Sequence, residues 1–462
     1  MELSTCSNKG LLERMFKLAE KGTNVKTEIL AGITTFLTCV YIVAVNPAIL
    51  ANAGMDTKAV FWATALAAGL GSIFMGLYAN FPFALAPAMG LNAYFAFYVV
   101  GVLNLSWQNA LGCVLISGIA FIILSLFNIQ ERIVNEMPHC IKNSVGAGIG
   151  FFIAFIGLAQ AGIVVSNKDT LLQMGNLGNP GTLLALLGIA LTAVLIIKRI
   201  RGAILIGILA ITVAGFFVKN PATGMSYTQL PAGGMLAFDN PVQALAPTFG
   251  QLSFAGMFDS SGIVLLGVLF AIFSFLFVDL FDGIGVLVGV SAKAGFLNEK
   301  GELPNAGKAL FATACSAAGG AVLGTNTVCI YGAESTTGIA EGGRTGLVAV
   351  VAGALFILCL FFSPVFLMIP AIATAPALVM IGVFMMEPLK SVDLQDFAIA
   401  FPVFLAVMIM PFTYSIAHGI LFSVLGYTLA QVAAGNRKNI SATVWVLTVI
   451  FIIYLTLEII LK

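Results

Sequence analysis

Residues 83–97 read Phe83-Ala-Leu-Ala-Pro87-Ala-Met-Gly90-Leu-Asn92-Ala-Tyr94-Phe-Ala-Phe97, within a chain that is apolar over membrane-spanning lengths. Pro87 removes a backbone donor and pushes the preceding residue toward an extended conformation, so we expect a helix to begin just after it. The first turn of that helix would present free backbone N–H groups and the Asn92 amide to whatever lies at the break. The stretch therefore predicts an interrupted membrane span with a polar site at the interruption.

A second stretch of the same kind lies in the other half of the chain. Residues 324–338 read Gly324-Thr-Asn326-Thr-Val-Cys-Ile-Tyr-Gly332-Ala-Glu334-Ser-Thr-Thr-Gly338. The first part is β-prone, and the part from Glu334 onward is typical of a helix start with an acid in its first turn. Short, interrupted spans at corresponding positions of two halves point to the binding site of an inverted-repeat transporter. The alternative is that both are merely re-entrant or poorly packed helices.

The composition of the whole chain is that of a membrane protein. Of its 462 residues 60% are hydrophobic and 9% are charged, whereas soluble domains carry about 25% charged residues. The apolar stretches are about 16 to 25 residues long, the length that a helix needs to cross roughly 30 Å of hydrocarbon. We therefore predict an all-α polytopic membrane protein in contact with the lipid bilayer. The net charge of +1 gives no reason to expect a nucleic-acid partner.

The chain divides into two sets of seven predicted spans, separated by the long polar joint 219–261. Because seven is odd, the second set must have the opposite topology to the first. The interrupted stretches are the third span of each set, segments 3 and 10. Whether the apolar stretch 441–461 also crosses the membrane is left open. The predicted spans are 28–50, 59–79, 83–100, 107–127, 144–165, 181–198, 202–218, 262–288, 308–323, 326–340, 346–369, 372–387, 397–413 and 416–434.

The distribution of basic residues predicts the orientation in the membrane. With the N-terminus in the cytoplasm, seventeen Lys and Arg residues lie inside, only Lys58, Lys168 and Lys219 lie outside, and Lys462 is undecided. Cytoplasmic loops of membrane proteins carry such an excess of positive charge. We therefore expect a multi-pass protein of the plasma membrane, the inner membrane of a bacterium, with a cytoplasmic N-terminus.

Three carboxylates, Asp279, Asp282 and Glu334, lie within predicted spans with no Lys or Arg at comparable depth. An unpaired acid there costs on the order of 3 kcal/mol, so it marks a pathway, a proton site or a ligand site. Asp279 and Asp282 lie three apart, on one helix face, where two acids in a dry site cannot easily both ionise. All three are proton-coupling candidates. The alternative, for Asp279 in particular, is an acid that only joins helices through hydrogen bonds.

An amide on one half-helix and a carboxylate on the other suit a flat polar heterocycle better than a bare ion. Five aromatic residues are candidates for stacking on such a ring, although each could equally face lipid or the core: Phe83, Tyr94, Phe95, Phe97 and Phe281. His418 is either a proton relay or a packing residue. We expect Glu341 to pair with Arg344. The scattered cysteines and the two histidines predict no metal site, and we expect no cofactor besides a coupling proton.

Several motifs together resemble the adenine/guanine/hypoxanthine permeases, the purine branch of the nucleobase–cation symporter-2 superfamily. They are Thr27-Glu-Ile-Leu-Ala-Gly-Ile-Thr-Thr-Phe36, Ala86-Pro-Ala-Met-Gly-Leu-Asn-Ala-Tyr-Phe95, Leu280-Phe-Asp282, and Glu334-Ser-Thr-Thr-Gly338 through Gly342-Gly-Arg-Thr-Gly346. The resemblance implies proton symport of a purine base, with Asn92, Asp282 and Glu334 as substrate-binding residues. It also implies a non-enzymatic carrier built as two inverted repeats of seven, with a core domain that moves against a gate domain.

The same resemblance implies the domain boundaries. They are a cytoplasmic segment 1–26, core 27–143, gate 144–218, an extracellular or periplasmic loop 219–261, core 262–370, gate 371–440 and an apolar C-terminal segment 441–462. The chain departs from the family at Gly283, Ile284 and Val286, where small hydroxyl residues are usual, and by one extra residue before Glu334. The preferred purine therefore stays open, as does a carrier of another planar solute such as uracil or xanthine. A monomer and a homodimer are both left open.

Overall fold

The computed structural model describes residues 10–127, 136–231, 234–255, 257, 262–296 and 303–461. Nearly all regular structure in these residues is helical. In the first half of the chain the helices are α1 (Leu11–Phe16), α2 (Val25–Cys39), α3 (Ile42–Leu50), α4 (Thr57–Phe74), α5 (Met89–Ala93), α6 (Trp107–Leu126), α7 (His139–Gln160), α8 (Pro180–Ile197) and α9 (Ala203–Gly215). A π-helical turn, Tyr94–Val100, continues α5.

The second half of the chain has ten described α-helices. They are α10 (Pro241–Leu245), α11 (Gly262–Ala294), α12 (Ala306–Leu323), α13 (Gly332–Ala340), α14 (Gly346–Leu358), α15 (Ser363–Leu367), α16 (Ala371–Met385), α17 (Phe397–Thr413), α18 (Ile416–Ala433) and α19 (Ala442–Leu461). The strands of both halves are β1 (Leu85–Pro87), β2 (Val164–Asn167), β3 (Leu171–Met174) and β4 (Val328–Ile330).

The helices reproduce the predicted spans. Within the described residues, 11 helical segments are long and apolar enough to cross a membrane, and three shorter apolar helices are Met89–Val100, Ala203–Gly215 and Phe397–Thr413. All of the long segments except the last, the three shorter helices, and the segment that holds β4 and α13 account for the fourteen predicted spans. The remaining long segment, Ala442–Ile460, is the C-terminal stretch whose crossing the sequence left open. The predicted fold class, a helical polytopic membrane protein with short extended stretches in segments 3 and 10, is confirmed.

The two interrupted spans meet through their extended stretches. Strands β1 and β4 pair antiparallel, with Leu85 opposite Ile330 and Pro87 opposite Val328. Each strand leads directly into a short helix, β1 into α5 and β4 into α13. Because the strands are antiparallel, the two helices leave the pair in opposite directions, as expected for equivalent segments of two inverted halves.

The helices form two groups, and each helix packs chiefly on other helices of its own group. Spans 1–4 and 8–11 form one group, in which α14 packs on α2 and α4, and α12 on α4 and α6. Spans 5–7 and 12–14 form the other, in which α7 packs on α16 and α17, and α8 on α9 and α16. We call them the first and the second helix group. Whether they move as core and gate domains with the expected boundaries stays a prediction.

A buried acid joins the two halves of the first helix group. Glu28 on α2 is completely buried, and its carboxylate accepts hydrogen bonds from the backbone N–H groups of Arg344 and Thr345 at 2.8 and 3.2 Å. The Thr345 hydroxyl donates a further bond at 2.6 Å. These donors lie at the start of α14, where a carboxylate satisfies N–H groups that have no partner in the helix. Two of the motifs singled out in the sequence are therefore in direct contact.

Candidate substrate site

A cavity of about 150 Å³ lies where the two interrupted spans meet. Residues Ala88–Leu91 border it at the start of α5, and Tyr331–Glu334 border it at the start of α13. The first N–H groups of a helix have no partner within the helix, and they carry partial positive charge. The cavity is therefore bordered by the hydrogen-bond-donating ends of two helices.

The remaining walls come from α11 and from the second helix group. Asp282 is on the α11 side, and the second group contributes an apolar surface that includes Ile149, Ile381 and Phe384. Pockets for drug-sized ligands measure about 300–1,000 Å³, so this cavity suits a smaller molecule. With Asp282 and Glu334 as acceptors and helix N–H groups as donors, the cavity can hydrogen-bond to both the donor groups and the acceptor groups on the edges of a small planar ring.

Glu334 is hydrogen-bonded to a residue at the break in the first membrane span. Its Oε1 accepts a hydrogen bond of 2.6 Å from the hydroxyl of Tyr41, which lies between α2 and α3 and is almost completely buried. The Thr38 hydroxyl lies 2.8 Å from the Thr35 carbonyl oxygen and 3.2 Å from that of Glu334. Hydroxyls that bond back to the preceding helical turn bend helices, which accounts for the break beside Tyr41.

The two aspartates of α11 have different neighbours in the extended stretch at β4. The Thr327 hydroxyl donates to Asp279 Oδ2 at 2.7 Å. Asp282 and Cys329, by contrast, both border the cavity. Asp282 borders the cavity, whereas Asp279 is one helical turn away and is not among the residues that border it.

Asn92 lies deeper in α5 than the sequence suggested. The helix begins at Met89, so Asn92 is its fourth residue, and its backbone N–H already donates to the Ala88 carbonyl at 2.8 Å. The side chain is completely buried, and neither amide atom has a hydrogen-bond partner among the described residues. Asn92 is not among the residues that border the cavity, although the preceding turn is.

The aromatic residues at the cavity are not those that the sequence singled out. None of Phe83, Tyr94, Phe95, Phe97 and Phe281 borders it. Phe83 packs on Phe81, and Tyr94 stacks on Tyr98 with ring centroids 5.1 Å apart. The rings that do border the cavity are Tyr331 and Phe384. His418 lies in an aromatic cluster, with ring centroids 5.7 Å from Tyr98 and 5.6 Å from Phe270.

A larger cavity of about 930 Å³, which we call the vestibule, adjoins the site. Glu334 borders both cavities, so it stands where the vestibule reaches the small one. The first helix group contributes Thr38 and Thr337 to the vestibule, and the second group contributes the turn 199–202 and the segment 383–390. The vestibule therefore forms an opening between the two helix groups that leads to the site.

The expected pairing of Glu341 with Arg344 is wrong. Glu341 forms an ion pair with Arg201, which lies in the turn between α8 and α9. The Arg344 guanidinium instead donates to the carbonyl oxygens of Ile339 and Gly343, both at 3.0 Å. The turn at Gly342, with φ of 98°, directs the chain away from Glu341. The ion pair thus connects the two helix groups.

Sequence reasoning missed Tyr41, Cys329 and Phe384. Tyr41 lies just outside the motif that ends at Phe36, and a tyrosine in an apolar span carries no signal of its own. Phe384 is one of 37 phenylalanines, and only its position in space distinguishes it. The polar contacts of Thr38 with Glu334 and Thr337 could have been suspected, because three threonines, Thr34, Thr35 and Thr38, lie close together in an otherwise apolar span.

Comparison with known proteins gives a family and several relatives. The model of the Permease family (Xan_ur_permease) matches residues 26–422. Putative permease MJ0326 of Methanocaldococcus jannaschii is 46% identical over 440 residues, which is 95% of this chain and 97% of that protein. Adenine permease AdeQ of Escherichia coli is 42% identical, over 96% of this chain and 95% of its own. Guanine/hypoxanthine permease PbuG of Bacillus subtilis is 41% identical, over 96% and 99%.

Solved structures of transporters share the fold at low sequence identity. The transmembrane domain of the cyanobacterial bicarbonate transporter BicA superposes with a TM-score of 0.60 at 16% identity, over 89% of this chain and 97% of that one. Murine Solute Carrier 26 family member A9, an anion transporter in the inward-facing state, gives 0.63 at 10% identity, over 94% and 74%. These likenesses show the fold of two inverted repeats of seven spans. With the family match over most of its length, the chain belongs to the Permease family and is a membrane transporter.

Proposed function

We propose that this protein imports a purine nucleobase, adenine, guanine or hypoxanthine, together with protons. The observation that carries the proposal is the small cavity between the two interrupted spans, bordered by two helix N-termini and two carboxylates. A purine has ring N–H groups that suit carboxylates and ring nitrogens that suit N–H donors. Relatives named adenine permease and guanine/hypoxanthine permease, at 40–42% identity over nearly the whole chain, support the same substrate class.

In this proposal Asp282 and Glu334 bind the ring edge and take part in proton coupling. Both acids are partly buried, and Glu334 accepts one hydrogen bond, from the Tyr41 hydroxyl. Each acid therefore has acceptor capacity left for a ligand. Asp279 is the third proton-coupling candidate, and its Oδ1 atom has no partner among the described residues.

Asn92 is the third proposed substrate contact. Its unpartnered amide belongs to the residue directly after Leu91, the last residue of α5 that borders the cavity, so a shift of α5 would be needed to expose it. A buried amide without partners costs stability, which gives a reason for such a residue to serve a ligand. We expect Asn92→Ala to weaken binding of adenine and of the oxopurines to different extents. Unchanged affinity and unchanged preference would make Asn92 a packing residue.

Transport would proceed by movement of the first helix group, as core, against the second, as gate. The vestibule supports this mechanism because it separates the two groups and ends at Glu334. Its basic residues lie on the side that the charge distribution predicts to be cytoplasmic. The structure would then correspond to a conformation that is open to the cytoplasm, with Ile149, Ile381 and Phe384 closing the cavity on the gate side.

Uptake into proteoliposomes tests the proposal directly. An imposed proton gradient should drive accumulation of a labelled purine, a protonophore should abolish it, and replacing sodium by choline should leave it unchanged. Strict sodium dependence would refute the proton coupling. Competition by adenine, hypoxanthine, guanine, xanthine and uracil identifies the substrate. If uracil or xanthine alone competes, the carrier acts on another planar solute.

A further inference from the structure

The vestibule has chemically different ends. At its inner end are the Glu334 carboxylate and the hydroxyls of Thr38 and Thr337, which can hydrogen-bond a polar ring. At the other end are the basic side chains of Arg199, Arg201 and Lys390. Between them the wall is mainly apolar.

The basic end is assembled from two separate segments of the second helix group. Arg199 and Arg201 come from the turn between α8 and α9, in which Arg199 and Gly202 both have left-handed backbones, with φ of 56° and 68°. Lys390 comes from the short 3₁₀ helix Glu387–Ser391 that follows α16. Convergence of cations from two segments on one cavity is a stronger indication of a site than a run of basic residues in one loop.

Two of these cations have no acidic partner in the part of the chain that the structure describes. Arg201 is paired with Glu341, but no ion pair is found there for Arg199 or Lys390. Glu387 and Glu334 also border the vestibule, so it is not uniformly positive. Unpaired guanidinium and ammonium groups are the side chains that bind phosphate groups.

The separation of Glu334 from Arg201, one of the three cations, follows from α13. Glu341, which holds Arg201, comes seven residues after Glu334, and seven residues of helix span about 10 Å. An extended molecule made of a purine base, a ribose and a phosphate covers such a distance. Its base would reach the acceptors at Glu334 while its phosphate lies among the cations, and the volume of about 930 Å³ accommodates it.

We propose that the vestibule binds a purine nucleoside monophosphate, with the base toward Glu334 and the phosphate at Arg199 and Lys390. The proposal rests on the proposed function, because it uses the base-binding character of Glu334. A nucleotide in this position closes the route between the small cavity and the vestibule mouth. The carrier would thus be inhibited from the cytoplasmic side by the phosphoribosylated form of its own substrate. An anionic phospholipid could supply the same phosphate chemistry, but its acyl chains would leave the polar inner end unpaired.

Thermal unfolding of the purified full chain tests binding without requiring transport. GMP, IMP or AMP should raise the unfolding midpoint at concentrations at least tenfold lower than the corresponding nucleosides. CMP and inorganic phosphate should be weaker than the best purine nucleotide, and rising salt should weaken all phosphate-dependent binding. Equal binding of nucleoside and nucleotide would overturn the proposal. So would stabilisation by phosphatidate alone, which would assign the cations to lipid headgroups.

The matched variants remove the phosphate contacts and keep the base site. Arg199→Gln combined with Lys390→Gln should weaken nucleotide binding roughly tenfold, while the KM for the purine base stays within about twofold. Lys438→Gln removes an exposed cation that does not border the vestibule, and it should change neither value. Unchanged nucleotide binding in the double variant would refute the site. If the base is transported but nucleotides have no effect, this inference alone fails; if no base binds, the proposed function fails.

Discussion

Two aspartates on one face of α11 have different surroundings, and this difference predicts different roles. Asp282 borders the cavity, and Asp279 is bonded to Thr327 one turn away. We expect Asp282→Asn and Glu334→Gln each to reduce purine uptake by roughly thirtyfold or more, because a lost charge-assisted hydrogen bond costs about 2–3 kcal/mol. Asp279→Asn keeps a hydrogen-bonding group beside Thr327 and should retain clear activity.

Initial rates in cells that contain equal amounts of each variant in the membrane provide the measurement. His418→Ala serves as a further comparison, since His418 lies in an aromatic cluster and not at the cavity, and it should leave clear uptake. Normal kinetics for Glu334→Gln would contradict the assignment of the site.

Tyr41 and Tyr331 form a natural pair for testing how Glu334 is positioned. Both are buried, and their ring centroids are 6.5 Å apart. The Tyr41 hydroxyl donates to Glu334 at 2.6 Å, whereas the Tyr331 hydroxyl donates to the Pro87 carbonyl at 2.7 Å. We expect Tyr41→Phe to change the KM for the purine by roughly tenfold and to shift the pH profile of uptake, because Glu334 loses its hydrogen-bond donor.

The matched variant Tyr331→Phe removes a hydroxyl of the same kind without touching an acid. It should lower the thermal stability of the strand pair and leave the pH profile of uptake unchanged. If the two variants shift the pH profile equally, Tyr41 has no particular influence on Glu334.

Two residues that border the cavity could be predicted from the sequence, but not the contacts around them. Charged side chains in apolar spans are conspicuous, which is why the sequence singles out Asp282 and Glu334, together with Asp279 one turn away. Tyr41 and Phe384 could not be found, because an aromatic residue in an apolar span looks the same whether it faces lipid, core or ligand. Only the fold shows which of them reaches the cavity.

At the scale of elements, the start of α5 shows what local sequence leaves undetermined. Pro87 correctly predicts a break, yet the helix begins at Met89 and not directly after the proline. The reason is non-local: the Ala88 N–H donates to the Thr327 carbonyl at 3.0 Å, so β1 is extended by its pairing with the other half of the chain. The sequence predicts two extended stretches, but it does not predict that they pair with one another.

Replacement of Glu28 tests the contribution of the junction between α2 and α14 to stability. Glu28→Ala leaves two backbone N–H groups and one hydroxyl without their buried acceptor. We expect a loss of roughly 1–3 kcal/mol in the free energy of unfolding, measured as a lower unfolding midpoint in detergent. Glu20→Ala removes an exposed acid whose ion pair with Lys17 spans 3.3 Å, and it should have almost no effect. Equal midpoints for the two variants would show that Glu28 is not a structural acceptor.

At the scale of the whole molecule, the number and order of spans follow from hydropathy because each span must fill the same thickness of hydrocarbon. The relative position of the two helix groups does not follow from it. The surface that the second group contributes to the cavity is apolar, so no pattern in the sequence distinguishes Ile149 or Ile381 from a lipid-facing residue. The polar contacts that cross between the groups are therefore the most informative, and Arg201 with Glu341 is one of them.

The ion pair between Arg201 and Glu341 joins the two helix groups beside the open vestibule, so breaking it should disfavour this conformation relative to one in which the vestibule is closed. Both side chains are partly exposed, at 67% and 29%, and exposed pairs contribute about 0.2–1 kcal/mol. Glu341→Gln should therefore lower the population of the open conformation by at most about fivefold. Labelling of Thr337→Cys, within the vestibule, by a water-soluble maleimide measures that population, and its rate should fall accordingly.

Exchange of the charges, Arg201→Glu with Glu341→Arg, should restore the rate, whereas Glu20→Gln, which breaks an ion pair within one segment, should not alter it. A labelling rate that is unaffected by Glu341→Gln at low salt would mean that the pair forms equally well in both conformations and does not bias the transport cycle.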